Sequence, residues 1–253
     1  MIAWHLAAAG IENPFFPSPL SVMQRAEELW IAHPAGLPPF QGSGLEKHVL
    51  PSLIRTVGAW SSAVVTGVLA GVILGRSPIL AWVDPALQLV RAVPPPLLVP
   101  VVIALLPLGD PVQLTIIFFG CLWPVLIAAI DGSREADPAL IETARLYRLS
   151  RVRYYLSVIA PAAAGRASAG IRYSASLSLI LMVVSEMVAA TEGIGFQLVD
   201  AARSFDAPAL WATVLMLGLI GNVFNAALLH AERSLLPWIR RDRSTSQRWS
   251  KDA

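Results

Sequence analysis

The chain has little of what a soluble enzyme or a nucleic-acid-binding protein needs. Charged residues make up only 14% of its 253 positions, and lysine plus arginine number 19 against 17 aspartate plus glutamate. A nucleic-acid groove needs a concentrated excess of positive charge, so DNA and RNA fall away as partners. One cysteine, Cys121, excludes an internal disulfide and any CxxC redox or metal motif. It sits inside the apolar run VQLTIIFFGCLWPVLIAAI and reads as an ordinary small apolar side chain. His5, His33, His48 and His230 are scattered and make no ligand cluster. No GxxxxGK[ST] stretch occurs, so any ATP must be bound by another polypeptide. A membrane-embedded enzyme would need convergent Asp, Glu or His residues, and a secondary transporter paired repeats with charged mid-span sites. Neither pattern is visible.

What fills the chain instead is apolar sequence, 55% hydrophobic residues in long runs. A helix needs about 20 apolar residues to cross a hydrocarbon core of roughly 30 Å. That length selects five full spans, near Leu53 to Gly75, Pro94 to Leu108, Val112 to Ile130, Ile171 to Ala190 and Leu210 to Leu229. The second follows an amphipathic lead-in, AWVDPALQLVRAV, and opens on Pro94, Pro95 and Pro96. Three prolines cannot lie inside a regular helix, so this span should begin broken. The fold class is therefore all-α, a polytopic membrane helical bundle.

Arginine placement orients it. Arg134, Arg145, Arg148, Arg151, Arg153, Arg166 and Arg172 lie between the third and fourth spans, and Arg233, Arg240, Arg241, Arg243, Arg248 and Lys251 follow the fifth. The positive-inside rule puts both groups in the cytoplasm, and two intervening spans make the assignments agree. Residues 10–50, with mixed charge, then form an external segment. Residues 1–9 should reach it from the cytoplasm, yet nine residues make roughly 13 Å of helix at 1.5 Å per residue. A truncated first span is the expectation there. MIAWHLAAA lacks the basic start and cleavage site of a secretory signal.

The polar interlude over residues 131–161, DGSREADPALIETARLYRLSRVRYYLSVIAP, is the strongest functional signal. Asp137 can cap a helix that begins at Pro138. That helix should run to Tyr147, with Leu140, Ala144 and Tyr147 on one face. Ser150 can cap a second, in which Val152, Tyr155, Leu156 and Ile159 recur at helical spacing, and Pro161 should stop it. Two short amphipathic helices with an arginine-rich surface suit docking of a water-soluble partner.

These residues resemble the EAA motif of the membrane subunits of bacterial ABC importers, whose pattern is E-A-A, three residues, G, nine residues, I-x-L-P. Glu142, Ala144 and Pro161 match at the right spacing and Val158 substitutes conservatively for isoleucine. Thr143, Arg148 and Ala160 depart from it. FFPSPLSVMQ, LIRTVGAW, DPALQLVRAVPPPLLVPVVIALLPLG, AGIRYSASLSLILMVVSEMVAATEGIGF and LLPW resemble the sulfonate, taurine, nitrate and bicarbonate branch of these permeases, over about residues 4 to 238. The resemblance implies a single permease domain over residues 1–253 with six spans, the first truncated here, a coupling loop over residues 131–161 and a basic cytoplasmic tail over residues 239–253.

It also implies a role for the loop. Pro138, Leu140, Ile141, Glu142, Thr143, Ala144, Arg145, Tyr147, Arg148 and Pro161 would couple to an ATP-binding-cassette ATPase, which holds the ATP and Mg while this chain holds no cofactor. The other partners implied are a second permease copy, identical or different, an extracytoplasmic substrate-binding protein and the lipid of the bacterial inner membrane. The family glycine at position 148 implies a sharp turn of positive φ, where a side chain costs roughly 1 kcal/mol. Alternating access would pass a small anion such as a sulfonate, nitrate or bicarbonate. A secondary transporter or a non-transporting membrane scaffold is the alternative reading.

Candidate pathway residues are Arg91, Pro94, Pro95, Ser185 and Glu186. Arg91 can attract an anion or anchor a cytoplasmic helix end. Glu186, ionisable within a span, reads either as a gate or pathway group or as a hydrogen-bond partner of a neighbouring helix. Ser174, Ser176 and Ser178 cannot all share one helical face and read as packing contacts, and Asn222 and Asn225 as interhelical hydrogen-bonders. Gly193 and Gly195 should form a turn into the external helix FQLVDAARSF.

Overall fold

The computed structural model describes Trp4, residues 15–32 and residues 41–235. The expected truncated first span and the basic tail lie outside the described residues, Trp4 excepted. The described elements are helical: α1 (Pro19–Ala26), α2 (Leu50–Gly75), α3 (Leu80–Arg91), α4 (Val99–Leu105), α5 (Asp110–Arg134), α6 (Pro138–Leu146), α7 (Arg151–Tyr154), α8 (Ala160–Ala189), α9 (Ile194–Arg203) and α10 (Ala207–Leu235). Wide π-type turns at Glu27–Ile31, Leu45–Val49 and Tyr155–Ile159, and a 3₁₀ turn at Pro95–Leu98, join or precede them.

Four helical runs are long and apolar enough to cross a membrane: Leu45–Gly75, Asp110–Arg134, Arg151–Ala189 and Ala207–Ser234. Among the described residues a fifth candidate is the pair Leu80–Arg91 and Pro95–Leu105, which passes only when both pieces are counted together and bends by 82° at the break, the geometry of a broken span or of a re-entrant loop. The proline triplet breaks it, as expected, because Pro94 and its neighbours have no N–H for a helical ladder. The lead-in read as amphipathic is the first helix of this bent pair.

Pro161 corrects the sequence reading. The helical run passes through it without stopping. In the turn just before it, the Ala160 N–H reaches back five residues to the Tyr155 carbonyl. That shift of register accommodates a residue that cannot donate and whose ring would meet the carbonyl four residues back.

The residues group into two compact units. The first comprises Met1–Ala59, Pro95–Ile117 and Ser178–Asn222. Within it, Ser18 caps α1 by accepting from the Ser21 N–H at 3.2 Å, and Asp206 caps α10 by accepting from the Ala209 N–H at 3.0 Å. Trp30, Val112, Ile116, Ile117, Leu181, Met182 and Ile194 are buried there. α9 ends in a Schellman motif, with Asp206 N–H bonded to Ala201 O and Phe205 N–H to Ala202 O. Phe205 therefore holds φ at +55°, a place usually given to glycine.

The second unit comprises Trp60–Pro94, Phe118–Leu177 and Val223–Ala253. Small residues let its helices approach closely: a Cβ on Gly71 would lie 2.6 Å from the Ala129 Cβ. Around that contact Val72, Ala129, Ala136, Ile141, Ile159, Ala163 and Ala167 form one buried cluster. Cys121 is buried as expected, its sulfur 3.4 Å from the Ser174 carbonyl. Ser174 accepts the indole N–H of Trp60 at 2.9 Å and Ser176 is exposed, while Ser178, where the first unit resumes, is buried. Asn222 and Asn225 lie on exposed positions of α10, and their side chains show no hydrogen bond among the described residues, contrary to expectation.

Candidate functional site

In the first unit a polar network surrounds Glu186, which is 1% exposed near the end of α8. A bare carboxylate in such a place is costly, and every partner it finds offsets part of that cost. Its Oε1 is 2.6 Å from the Ser52 hydroxyl and its Oε2 accepts the Gly195 N–H at 2.9 Å. Ser52 in turn accepts the Ile194 N–H at 3.0 Å. The Ser52 oxygen also lies 2.9 Å from the His48 carbonyl. With one proton to give, the shorter contact to the charged carboxylate is the stronger.

The backbone is shaped to permit this. Gly193 has φ +120°, and a Cβ there would fall 2.5 Å from the Glu186 carboxyl carbon. Only glycine fits both the dihedral and the space. The Gly193 N–H is accepted by His48 Nδ1 at 3.1 Å, which leaves the ring proton on Nε2. The His48 ring stacks on Phe196, with 6.2 Å between centroids. Three successive backbone N–H groups at the start of α9 are thus taken by His48, Ser52 and Glu186 side chains.

Arg55 completes the network one turn further along α2. It is 8% exposed. Its Nε is 2.7 Å from Asp110 Oδ1, and its Nη2 is 2.8 Å from Glu192 Oε1. Its Nη1 stands 3.6 Å from Glu186 Oε1, close enough for an ion pair but not a hydrogen bond, and is buried without a hydrogen-bond partner. One guanidinium faces three carboxylates.

The turn read at Gly193 and Gly195 belongs to this network, and of the candidate pathway residues read from sequence Glu186 alone does. The reading of it as a hydrogen-bond partner of a neighbouring helix is met through Ser52. Ser185 is buried but donates to Met182 O on its own helix at 2.9 Å. Arg91 and Pro94 are exposed and Pro95 is half-buried; Arg91 has no ion pair among the described residues. His48, Ser52, Arg55, Asp110 and Glu192 were missed. The signal was present: His48, Ser52 and Arg55 fall at i, i+4 and i+7 on the entering turns of an apolar helix, one polar stripe where lipid-facing sequence has none.

The second unit carries the helix pair. The Asp137 side chain accepts the Ala139 N–H at 2.8 Å, with Pro138 at the first helical position. Ser150 accepts the Arg153 N–H at 3.4 Å. α6 closes in a Schellman motif, Leu149 N–H to Ala144 O at 3.1 Å and Arg148 N–H to Arg145 O at 3.0 Å. Arg148 has φ +48°. The turn that the family glycine implies is therefore there, made by arginine.

α6 buries Ile141 and Ala144, while Leu140 and Tyr147, read onto one face with Ala144, are exposed. Tyr154, Tyr155, Val158 and Ile159 supply the inward side after Ser150, leaving Val152 and Leu156 exposed. Leu146, 82% exposed, and Tyr147, 78% exposed, stand at the tip of α6. Glu142, Thr143, Arg145, Arg148, Arg151 and Arg153 are exposed around them, and Thr143 bonds back to Ala139 O at 2.7 Å. Leu146 was missed because its periodic partners lie outside the inward face. Arg166 reaches Glu135 with two nitrogens, tying α8 to the segment before α6.

Long apolar helices that keep an ion-pair network inside themselves define an integral helical membrane protein. Within that class, the sequence profile of binding-protein-dependent transport system inner membrane components matches residues 63–241, well over half the chain, and the chain belongs to that family. It is a transmembrane permease subunit of an ABC-type importer, a transport component of the inner membrane. The nitrate import permease protein of Synechocystis sp. is 26% identical over 242 residues, 94% of this chain and 86% of that protein. The taurine transport system permease protein of Escherichia coli is 28% identical, covering 93% and 84%. The bicarbonate transport system permease protein of Synechococcus elongatus is 28% identical, covering 93% and 86%.

Proposed function

We infer that the chain, paired with a second permease copy, forms the alternating-access pathway of an importer for a small oxyanion or sulfonate, and that α6 is its docking element for an ATP-hydrolysing partner. The observation that carries the docking reading is the tip of α6. Leu146 and Tyr147 are displayed to water on a helix capped at both ends and held by Ile141 and Ala144. Exposed apolar groups on so well-anchored a helix are in want of a covering surface. Arg145, Arg148, Arg151 and Arg153 around them favour an acidic rim on that partner.

In this reading Pro138, Leu140, Ile141, Glu142, Thr143, Ala144, Arg145, Tyr147, Arg148 and Pro161 transmit the ATPase's closure, with ATP and Mg held by that partner. The α6 loop and the basic tail face the cytoplasm, and a binding protein delivers substrate at the opposite side. Oxyanion and sulfonate substrates are supported by relatives named for nitrate, taurine and bicarbonate. Arg91, Pro94 and Pro95 would contribute to the pathway near the broken span, and Ser185 and Glu186 near the end of α8.

The test is mild-detergent purification of the tagged chain from its host with mass spectrometry of what accompanies it, repeated with Leu146→Asp and Tyr147→Asp together. A P-loop ATPase that accompanies the parent and is lost from the variant supports the reading. Recovery of no ATPase with the correctly inserted parent chain would move a secondary transporter or scaffold ahead.

A further inference from the structure

The start of α9 is built like an anion site that is already full. Three backbone N–H groups point away from the helix, a hydroxyl and an imidazole nitrogen stand beside them, and a guanidinium faces in from α2. Helix N-termini of this kind favour bound oxyanions, because aligned N–H groups and the helix dipole both meet negative charge. Here the negative group is the protein's own, the Glu186 carboxylate, which takes the Ser52 hydroxyl at 2.6 Å and the Gly195 N–H at 2.9 Å.

An independent observation says that the internal carboxylate does not complete this setting. Arg55 is more than nine-tenths buried, its Nη1 faces Glu186 Oε1 across 3.6 Å, and that nitrogen makes no hydrogen bond. A buried guanidinium N–H without an acceptor is a costly group. A planar or tetrahedral oxyanion, free of a side-chain tether, could sit nearer Arg55 and take that donor along with the Ser52 hydroxyl and the Gly195 N–H. Asp110 and Glu192 hold the other two edges of the guanidinium at 2.7 and 2.8 Å and so fix its aim.

We propose that the cradle of Ser52, Arg55 and the Gly195 N–H is an oxyanion-binding site on the import pathway, occupied between transport cycles by the Glu186 carboxylate and taken by a transported oxyanion through exchange with it. Exchange is required rather than addition, since three carboxylates already surround one arginine and a fourth anion would be repelled. The cradle keeps its charge only if the Glu186 side chain turns out of it as the oxyanion enters, so the exchange requires a change of rotamer at Glu186. No covalent step is involved. The proposal deepens the importer reading and rests on it for the direction of transport and the class of ligand.

The test uses the full chain purified in detergent, with sodium nitrate as probe and sodium chloride as control. In Glu186→Ala the cradle is vacated, and nitrate should raise Tm saturably where chloride does not, as expected of a ligand that binds the folded state. Adding Arg55→Gln should weaken that nitrate affinity about tenfold or more, the loss of one charged donor. No nitrate-dependent rise in Glu186→Ala, or the same rise with Arg55→Gln, overturns the proposal. Because Glu186→Ala can fail to fold, the second measurement is made on the unaltered chain. An infrared carboxylate band, assigned to Glu186 by its absence in Glu186→Gln, should shift when nitrate is added, and a band that nitrate leaves in place overturns the proposal too. The two readings fail separately: ATPase recovery does not depend on residue 186, and nitrate binding by the isolated chain needs no ATPase.

Discussion

The Glu186 network and the α6 helix pair invert the ordinary pattern of a membrane protein in opposite ways. Around Glu186, charge is buried and answered by side chains from α2, from the start of α5 and from the turn after α8. At the tip of α6, large apolar side chains are exposed and answered by nothing among the described residues. The first is nearly satisfied from within, one Arg55 nitrogen excepted, so changes there should be read first in stability. The second is rigid but incomplete, so changes there should be read in association.

The comparison breaks first at Arg55. Replacing Arg55 with leucine leaves Glu186 buried without its cation, which should cost about 3–5 kcal/mol in thermal or chemical unfolding. Adding Glu186→Leu should recover much of that loss, because two apolar groups replace a pair instead of orphaning one partner. If the single and double variants are equally unstable, the ion pair is not what couples these positions.

Gly193→Ala comes next. It forces a Cβ into φ +120° and against the Glu186 carboxyl group, and should cost about 1–3 kcal/mol. A variant as stable as the parent would mean that the turn relaxes freely and that the network is looser than its distances imply.

On the α6 side the expected stability effects are smaller and differ in sign. Arg148→Gly relieves a left-handed arginine and should stabilise the chain by up to about 1 kcal/mol. At the same time it removes a positive charge from the docking surface, so ATPase activity in the assembled complex should become less dependent on substrate. Improved coupling in Arg148→Gly would count against Arg148 as a partner contact. Leu146→Asp should change unfolding by no more than about 0.5 kcal/mol, as for most exposed sites, and yet abolish recovery of the ATPase. Destabilisation of several kcal/mol would instead place Leu146 in a core.

Much of this was legible in sequence because it is local. Span length, the break at Pro94 to Pro96 and the Asp137 and Ser150 caps follow from residues within a few positions of one another, whereas the turn at Arg148 was expected only from the resemblance to the family motif. The reading failed where one local rule met another. Pro161 was taken as a stop, but a single wide turn immediately before it lets the helix run on. Spacing put Leu140, Ala144 and Tyr147 on one face of α6, but of these only Ala144 packs inward, with Ile141 in the cluster of Ile159 and Ala163.

The Arg55 to Glu186 network failed for a different reason. Its members stand 131 positions apart in the chain, and no periodicity connects them. What could have been read was each half alone: a polar stripe of His48, Ser52 and Arg55, and a carboxylate followed seven residues later by a glycine that begins a helix. Joining the halves required the fold.

The twin caps and closing turn of α6 also bear on how fast and how economically this subunit assembles. A loop that ordered only on contact would surrender conformational entropy at that moment and slow the encounter. α6 has its first N–H groups held by Asp137, its last carbonyls held by the turn at Arg148, and its inner face fixed by Ile141 and Ala144. In the proposed docking its tip would meet a partner as a finished shape, with little left to freeze on arrival. Affinity at this contact should be governed by how slowly the partner leaves, and variants of Leu146 or Tyr147 should shorten residence while leaving the rate of arrival nearly untouched.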